Sequence, residues 1–317
     1  MEEREFGTET DWLYDVCVVG GASLDRTFRQ KTPGGEFEPV CQNPGGKGSN
    51  QAVAASRAGV KVAYISKLGS DVVGEDIVIN MVKNHVAPYI RFVAGLNNDL
   101  CDAYVSYDGE NELKRQTGAI NAFDIDLIET YANVIQKSTV VMMQLKAPKE
   151  FSSHLINYCH EIGKPIILTP CRPERLVITE KENRDLIDKV TYITCNQKEC
   201  ETIFGTKDIE SCVAKYPNKL IVTLGENGLM YHDGKQVVKI RAVDVRNVVD
   251  TTGAGDTLAG NFAALISKGV PMKTALEKAT CASAIKIQHE TAQKGMPMRA
   301  ERDKLYEKEF ANVNTIA

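Results

Sequence analysis

The sequence predicts an α/β protein: an open, mostly parallel sheet flanked by helices, with a small β-sheet lid. Three observations carry this. From Tyr14 onward, short apolar runs closed by glycine or polar residues alternate with amphipathic segments of helical length. Two segments of weaker apolar character, about 26–42 and 99–117, interrupt the alternation, and each folds around a turn signal. A chain of 317 residues without internal repeats or a low-complexity linker suits one large domain, here 14–317 with the lid segments inserted.

Composition narrows the function. Net charge is −4 with both signs interspersed, so the basic stripe that nucleic acid requires is missing. No apolar run approaches the roughly 20 residues of a membrane span. Residues 1–13 are expected to form a flexible tail, and their acidic, polar character fits neither a signal nor a transit peptide. Nine cysteines without a Cys-x-x-Cys pair argue for reduced thiols in the cytoplasm, against a disulfide frame or structural zinc. The five histidines lack metal-ligand spacing, which speaks against a metallohydrolase.

Tyr14 to Val19, closed by Gly20-Gly21, reads as a buried parallel strand, and the missing Gly-x-Gly-x-x-Gly rejects a dinucleotide fingerprint. Asp25 lies just past its end, where open α/β sheets place ligands; a turn or cap role is the alternative. A Pro33-Gly34-Gly35 turn centres the first hairpin. Pro44-Gly45-Gly46-Lys47-Gly48-Ser49-Asn50 then opens a helix. Its glycines suit close approach to a polar ligand, Lys47 supplies charge, and Asn50 both donates and accepts. It is not a Walker A loop, and a solvated lysine in a glycine turn is the plain alternative. A strand over 61–69 and a helix to about Asn84 follow. Asp108-Gly109 marks the second hairpin.

The βα rhythm resumes with a helix near 124–136, a strand over 139–144, a helix near 149–162 and a strand over 165–169. After a strand ending at Cys195, Asn196 and Glu199 share one helix face. They either serve hydrated Mg²⁺ and phosphate or form an Asn-x-x-Glu cap. A strand over 220–224 turns through Gly225 and Gly228 into a hairpin at Asp233-Gly234.

The organising stretch is Asp250-Thr251-Thr252-Gly253-Ala254-Gly255-Asp256-Thr257, read as strand ending at Val248-Val249, glycine turn, helix. The N–H groups of 253–255 point into one concavity, and the helix behind adds its positive end. A carboxylate at the mouth of an anion cradle would repel phosphate, which points to proton removal from the attacking group. Helix capping by Asp256 is the alternative. Pro271 opens a long helix whose Ala275, Ala279 and Ala282 suit packing on a flat surface.

Together these stretches resemble the ribokinase-like (PfkB) sugar kinase family, from about Tyr14 to Pro297. Gly45 to Asn50, Gly69 to Gly74, Gly118 to Asn121, Asn196 to Glu199, Thr223 to Gly225 and Asp250 to Asp256 carry the resemblance in order. It implies ATP-dependent phosphorylation of a sugar hydroxyl, with a lid that closes on the sugar and forms a homodimer contact. Asp256 would be the base, with Gly253, Ala254 and Gly255 neutralising the moving phosphoryl. Asp25, Gly45, Gly46, Lys47, Asn50 and Lys146 would line the sugar site. Asn196, Glu199, Thr223, Gly225, Gly228 and Gly255 would serve ATP, with Glu199 on Mg²⁺ through water. Asp250, Thr252, Lys286, His289 and Thr291 match a K⁺ loop.

The chain departs from ribokinases at Lys146 (many have Glu), at Thr169-Pro170-Cys171-Arg172-Pro173 (Asn-Pro-Ala-Pro), at Ser23 (Asn) and at Thr291 (Gly). Lys146 and Arg172 either admit an acidic or phosphorylated substrate or are ordinary surface charges. Ribose is the first substrate expected; another sugar, sugar phosphate, sugar acid or nucleoside is the alternative. A non-catalytic sensor would retain the fold, but here both Asp256 and its glycines are kept.

Overall fold

A computed structural model describes residues 13–108 and 110–311, without the Asn111 side chain. The expected tail, Leu13 apart, and Gly109 of the expected turn lie outside the described residues. The strands are numbered along the chain. β1 (Tyr14–Val19), β4 (Val62–Gly69), β5 (Val86–Val93), β8 (Ser138–Gln144), β9 (Ile166–Thr169), β10 (Tyr192–Asn196), β11 (Leu220–Thr223), β12 (Leu229–His232) and β13 (Val237–Ile240) form the main sheet. Their order is β13-β12-β11-β10-β9-β8-β1-β4-β5, with every pairing parallel except β11–β12 and β12–β13. From β1 the chain builds outward through β4 and β5, then returns to β8 and builds the other way. The switch therefore falls between β1 and β8, where open sheets bind ligands.

Both faces are covered, as parallel strands require. One core packs the sheet against α1 (Lys47–Arg57), α2 (Val72–Lys83), α9 (Ala254–Ile266) and α10 (Met272–Lys286). The other packs it against α3 (Ile125–Thr130), α4 (Ala132–Gln136), α5 (Lys149–Glu161), α6 (Lys181–Lys189), α7 (Gln197–Phe204) and α8 (Ile209–Lys215). Ala275, Ala279 and Ala282 of α10 are fully buried, as their spacing predicts. Gly260 lets α1 and α9 touch backbone to backbone: a Cβ there would stand 2.6 Å from the Gln51 carbonyl oxygen. That approach brings the start of α1 to the start of α9.

The second sheet is small, β3-β2-β6-β7, built from β2 (Ser23–Gln30), β3 (Phe37–Gly45), β6 (Asp99–Val105) and β7 (Asn111–Gln116). The two hairpins join because β2 runs parallel to β6, with Asp25 opposite Cys101. Asp25 thus sits inside a strand of this sheet rather than in a turn after β1.

Three local expectations need correction. No strand precedes the organising stretch; Val248 and Val249 are 54% and 47% exposed, and the amides of Val249 and Asp250 bond to the Ile287 carbonyl. The helix expected near 124–136 breaks at Tyr131 into α3 and α4. β5 escaped the sequence reading because Pro88 and Arg91 interrupt its apolar run; it is an edge strand, where proline is tolerated. Among the described residues no helix is long and apolar enough to cross a membrane.

Candidate active site

The site begins with glycine geometry at the two helix starts. Gly46 caps α1 at φ +87° and Gly253 caps α9 at φ +80°, both left-handed values that favour glycine. A Cβ on Gly46 would lie 2.7 Å from Ala22 backbone, and one on Gly253 2.7 Å from the Ala292 carbonyl oxygen. Gly255 differs, since a Cβ there would meet nothing within 4 Å. Its exposed face opens on free space at the positive end of α9, as an anion cradle requires.

Asp256 is not a helix cap. Gly253 holds that position without a side-chain bond, and Asp256 lies in the first turn, 5% exposed. Its Oδ2 accepts from Asn50 Nδ2 at 3.0 Å and its Oδ1 from Gln51 Nε2 at 3.0 Å. Lys47 Nζ stands 3.9 Å from Oδ1, and the Asp256 charge raises the Lys47 ammonium above its ordinary value. Asn50, expected to hold sugar hydroxyls, is thus also a partner of the carboxylate.

Behind this carboxylate runs an amide network that the sequence reading missed. Gln51 is 0% exposed; its oxygen accepts from Gln144 Nε2 at 2.7 Å, which turns its own NH₂ toward Asp256. Gln51 also reaches Thr169 Oγ1 at 3.3 Å, and Thr169 meets Thr194 at 3.2 Å. On the other side Gln293 Nε2 donates to Asn50 Oδ1 at 2.9 Å, while Asn80 donates to Gln293 at 2.9 Å. The ends of β8, β9 and β10 therefore steady one carboxylate. Only the run Ser49-Asn50-Gln51 at a helix start hints at this in the sequence.

The small sheet supplies the opposite wall. Asp25 accepts from Ser23 Oγ at 2.7 Å, and a Cβ on Gly45 would overlap its carboxylate. Burial pushes the Asp25 carboxyl up, while Ser23, Lys146 and Arg115 of β7 pull it back. Burial pushes the Cys171 thiol up; the charges of Lys47 and Lys146 pull it back, while those of Glu199 and Asp256 add to the rise. Lys146 Nζ is 2.7 Å from Asp99, which is 1% exposed and also accepts the amides of Gly118 and Ile120. Its charge is therefore matched within the protein. Arg175, not singled out from sequence, donates to the Ala147 carbonyl at 2.6 Å and fixes the loop carrying Lys146.

At the far end Asn196 and Glu199 make a reciprocal cap of α7, with bonds of 2.8 and 2.9 Å. The cap uses Glu199 Oε2 only, and burial pushes the Glu199 carboxyl up. Thr223 Oγ1 meets the Cys195 carbonyl at 3.4 Å, beside Gly225, whose φ of +60° faces open space. Gly228 is filled on that side by the Ile240 carbonyl, so its glycine serves the packing of β13. Asp250 accepts from the Thr252 amide at 2.8 Å. Lys286 buries its ammonium against the carbonyls of Asp250 and His289, and Thr291 adopts φ +60°.

An open, mostly parallel sheet covered by helices on both faces places the chain among the α/β proteins. The model of the pfkB family carbohydrate kinases matches residues 14–299, and the chain belongs to that family. It is an ATP-dependent carbohydrate kinase. It is 35% identical over 293 residues to the ribokinase of Lactococcus lactis, covering 90% of this chain and 95% of that one. It is 34% identical to the ribokinase of Bacillus subtilis, covering 92% and 99%. Its fold matches Arabidopsis thaliana ribokinase, solved with ribose and ATP, at a TM-score of 0.79 and 23% identity, covering 92% and 98%.

Proposed function

We propose that this kinase phosphorylates the primary hydroxyl of a neutral sugar, ribose first, with Asp256 as general base. The observation that carries this is the Asp256 carboxylate, held by two neutral amides 3.0 Å away beside the open face of Gly255. Asp256 takes the hydroxyl proton as the oxygen attacks the terminal phosphorus of ATP, whose bond to the β–γ bridging oxygen breaks to release ADP. The amides of Gly253, Ala254 and Gly255 meet the charge on the transferring group. Asp25 and Lys47 orient the sugar, and the small sheet closes over it as a lid.

Thr223 and Gly225 line the nucleotide side. Among the described residues no group of three or more His, Cys, Asp or Glu is arranged to hold a metal ion. Mg²⁺ would be held mainly by phosphate and water, with Glu199 contributing through water from beside Asn196. Bound Mg²⁺ would neutralise phosphate charge. Phe37, Val40 and Leu113 leave apolar surface on the small sheet, which supports a homodimer through it, measurable by sedimentation. The nine cysteines, free where described, fit a reducing cytoplasm.

The Lys146–Asp99 pair favours a neutral substrate over an anionic one, because the extra ammonium is already matched. ATP consumption with ribose, fructose, fructose phosphate and adenosine tests this. Ribose is expected to turn over fastest. Equal rates on neutral and phosphorylated sugars would contradict the reading.

A further inference from the structure

Lys286 ends α10 with its side chain fully buried, at 0% exposure. Its ammonium donates to the Asp250 carbonyl at 2.7 Å and to the His289 carbonyl at 3.3 Å. These carbonyls belong to two different loops. The Asp250 loop enters the cradle: its carboxylate accepts the Thr252 amide, and Gly253 follows as the cap of α9. The His289 loop returns beneath it: Thr291 takes a left-handed φ of +60°, costly for a β-branched residue, and Ala292 packs on Gly253. The Ile287 carbonyl accepts from the amides of Val249 and Asp250 at 2.8 and 3.2 Å, stitching the loops together. One positive charge thus sits where two loops meet at the first turn of α9.

The resemblance assigns this place to K⁺, with Asp250, Thr252, Lys286, His289 and Thr291 around it. The residues present do not fit that ion. The carbonyls of Asp250 and His289 already face an ammonium, and a second cation among them would set two like charges close together in a buried space. Burial draws the ammonium below its ordinary value, and the Asp250 carboxylate opposes that.

We propose that the Lys286 ammonium replaces the monovalent cation, so that this kinase works without K⁺. A protonated amine offers the carbonyls the charge a metal ion would, delivered by the chain itself through directed bonds. It ties the entry to the cradle permanently to the loop beneath it. The inference rests on Gly253–Gly255 acting as the phosphate cradle.

Turnover of ribose and ATP is to be measured in potassium, sodium and tetramethylammonium chloride at one ionic strength, for the parent chain, Lys286→Ala and Lys286→Met. The parent is expected to vary by less than about twofold among the three salts. Lys286→Ala opens space for an ion; it is expected to lose ~10-fold or more in tetramethylammonium and to recover with K⁺, as a preorganised charge is removed and restored. Its thermal midpoint should rise with K⁺, while the parent's does not. Lys286→Met keeps the bulk, loses the charge and should stay slow in every salt. Strong K⁺ activation of the parent would overturn the proposal. So would a Lys286→Ala protein that is fast without K⁺, or one that K⁺ alters in neither rate nor midpoint, including one that folds in no salt. Failure of the cradle reading looks different: Gly255→Val would then match its parent in all three salts.

Discussion

Two buried charges flank the first turn of α9, and the chain satisfies them in opposite ways. Asp256 accepts from two neutral donors, Asn50 and Gln51, with the Lys47 ammonium 3.9 Å from its Oδ1. Lys286 is sealed against two carbonyls at 0% exposure. A general base, the role proposed for Asp256, needs partners that fix its geometry without fixing its charge. A group that only holds loops together gains from being closed off. Neutral amides suit the first task, and backbone carbonyls around an ammonium suit the second.

The contrast can be broken from the anionic side first. Asp256→Asn removes the proposed base and turns one of the clamp's two acceptors into a donor, so kcat should fall ~10²–10⁴-fold with sugar binding retained. Steady-state rates and calorimetric titration with ribose check both parts. Gly255→Val adds bulk to the open face of the proposed cradle, where a Cβ meets nothing within 4 Å. Turnover should fall ~10²–10³-fold, in line with losing anion-hole contacts, at an unchanged thermal midpoint. A normal rate would mean that phosphate passes elsewhere.

Lys146 sharpens the comparison, as a cation that is neither sealed nor catalytic. Lys146→Met leaves the Asp99 carboxylate buried with only two amide donors. Stability should fall by about 1–3 kcal/mol, the cost of an under-satisfied buried group, as read by urea unfolding. The KM for sugar should rise more than kcat falls. A protein as stable as its parent would show that the pair carries little weight.

What the sequence displayed was whatever glycine writes locally. Gly46 and Gly253 are needed for their own backbone angles, so the two helix starts could be read from neighbouring letters. The alternation of apolar runs likewise displayed the parallel sheet. Partnerships across the chain could not be read. Gln51 meets Asp256 across 205 positions, and Lys146 meets Asp99 across 47, with no local pattern to mark either. Val248-Val249 misled for the same reason: an apolar pair looks like a strand until its neighbours are known, and here the pair is exposed. Lys286 sat in the expected cation loop, but only the fold turns its ammonium onto the carbonyls.

The amide clamp offers the most direct test of the whole account. Gln51→Met removes one donor from Asp256 and is expected to lower kcat ~10-fold with little change in KM, as for an interaction made through the reacting group. Combined with Asp256→Asn, it should cost nothing further, because the residue it acts through is already gone. If the two losses multiply instead, Gln51 is merely a structural residue, and the claim that neutral amides aim this carboxylate at the sugar is wrong.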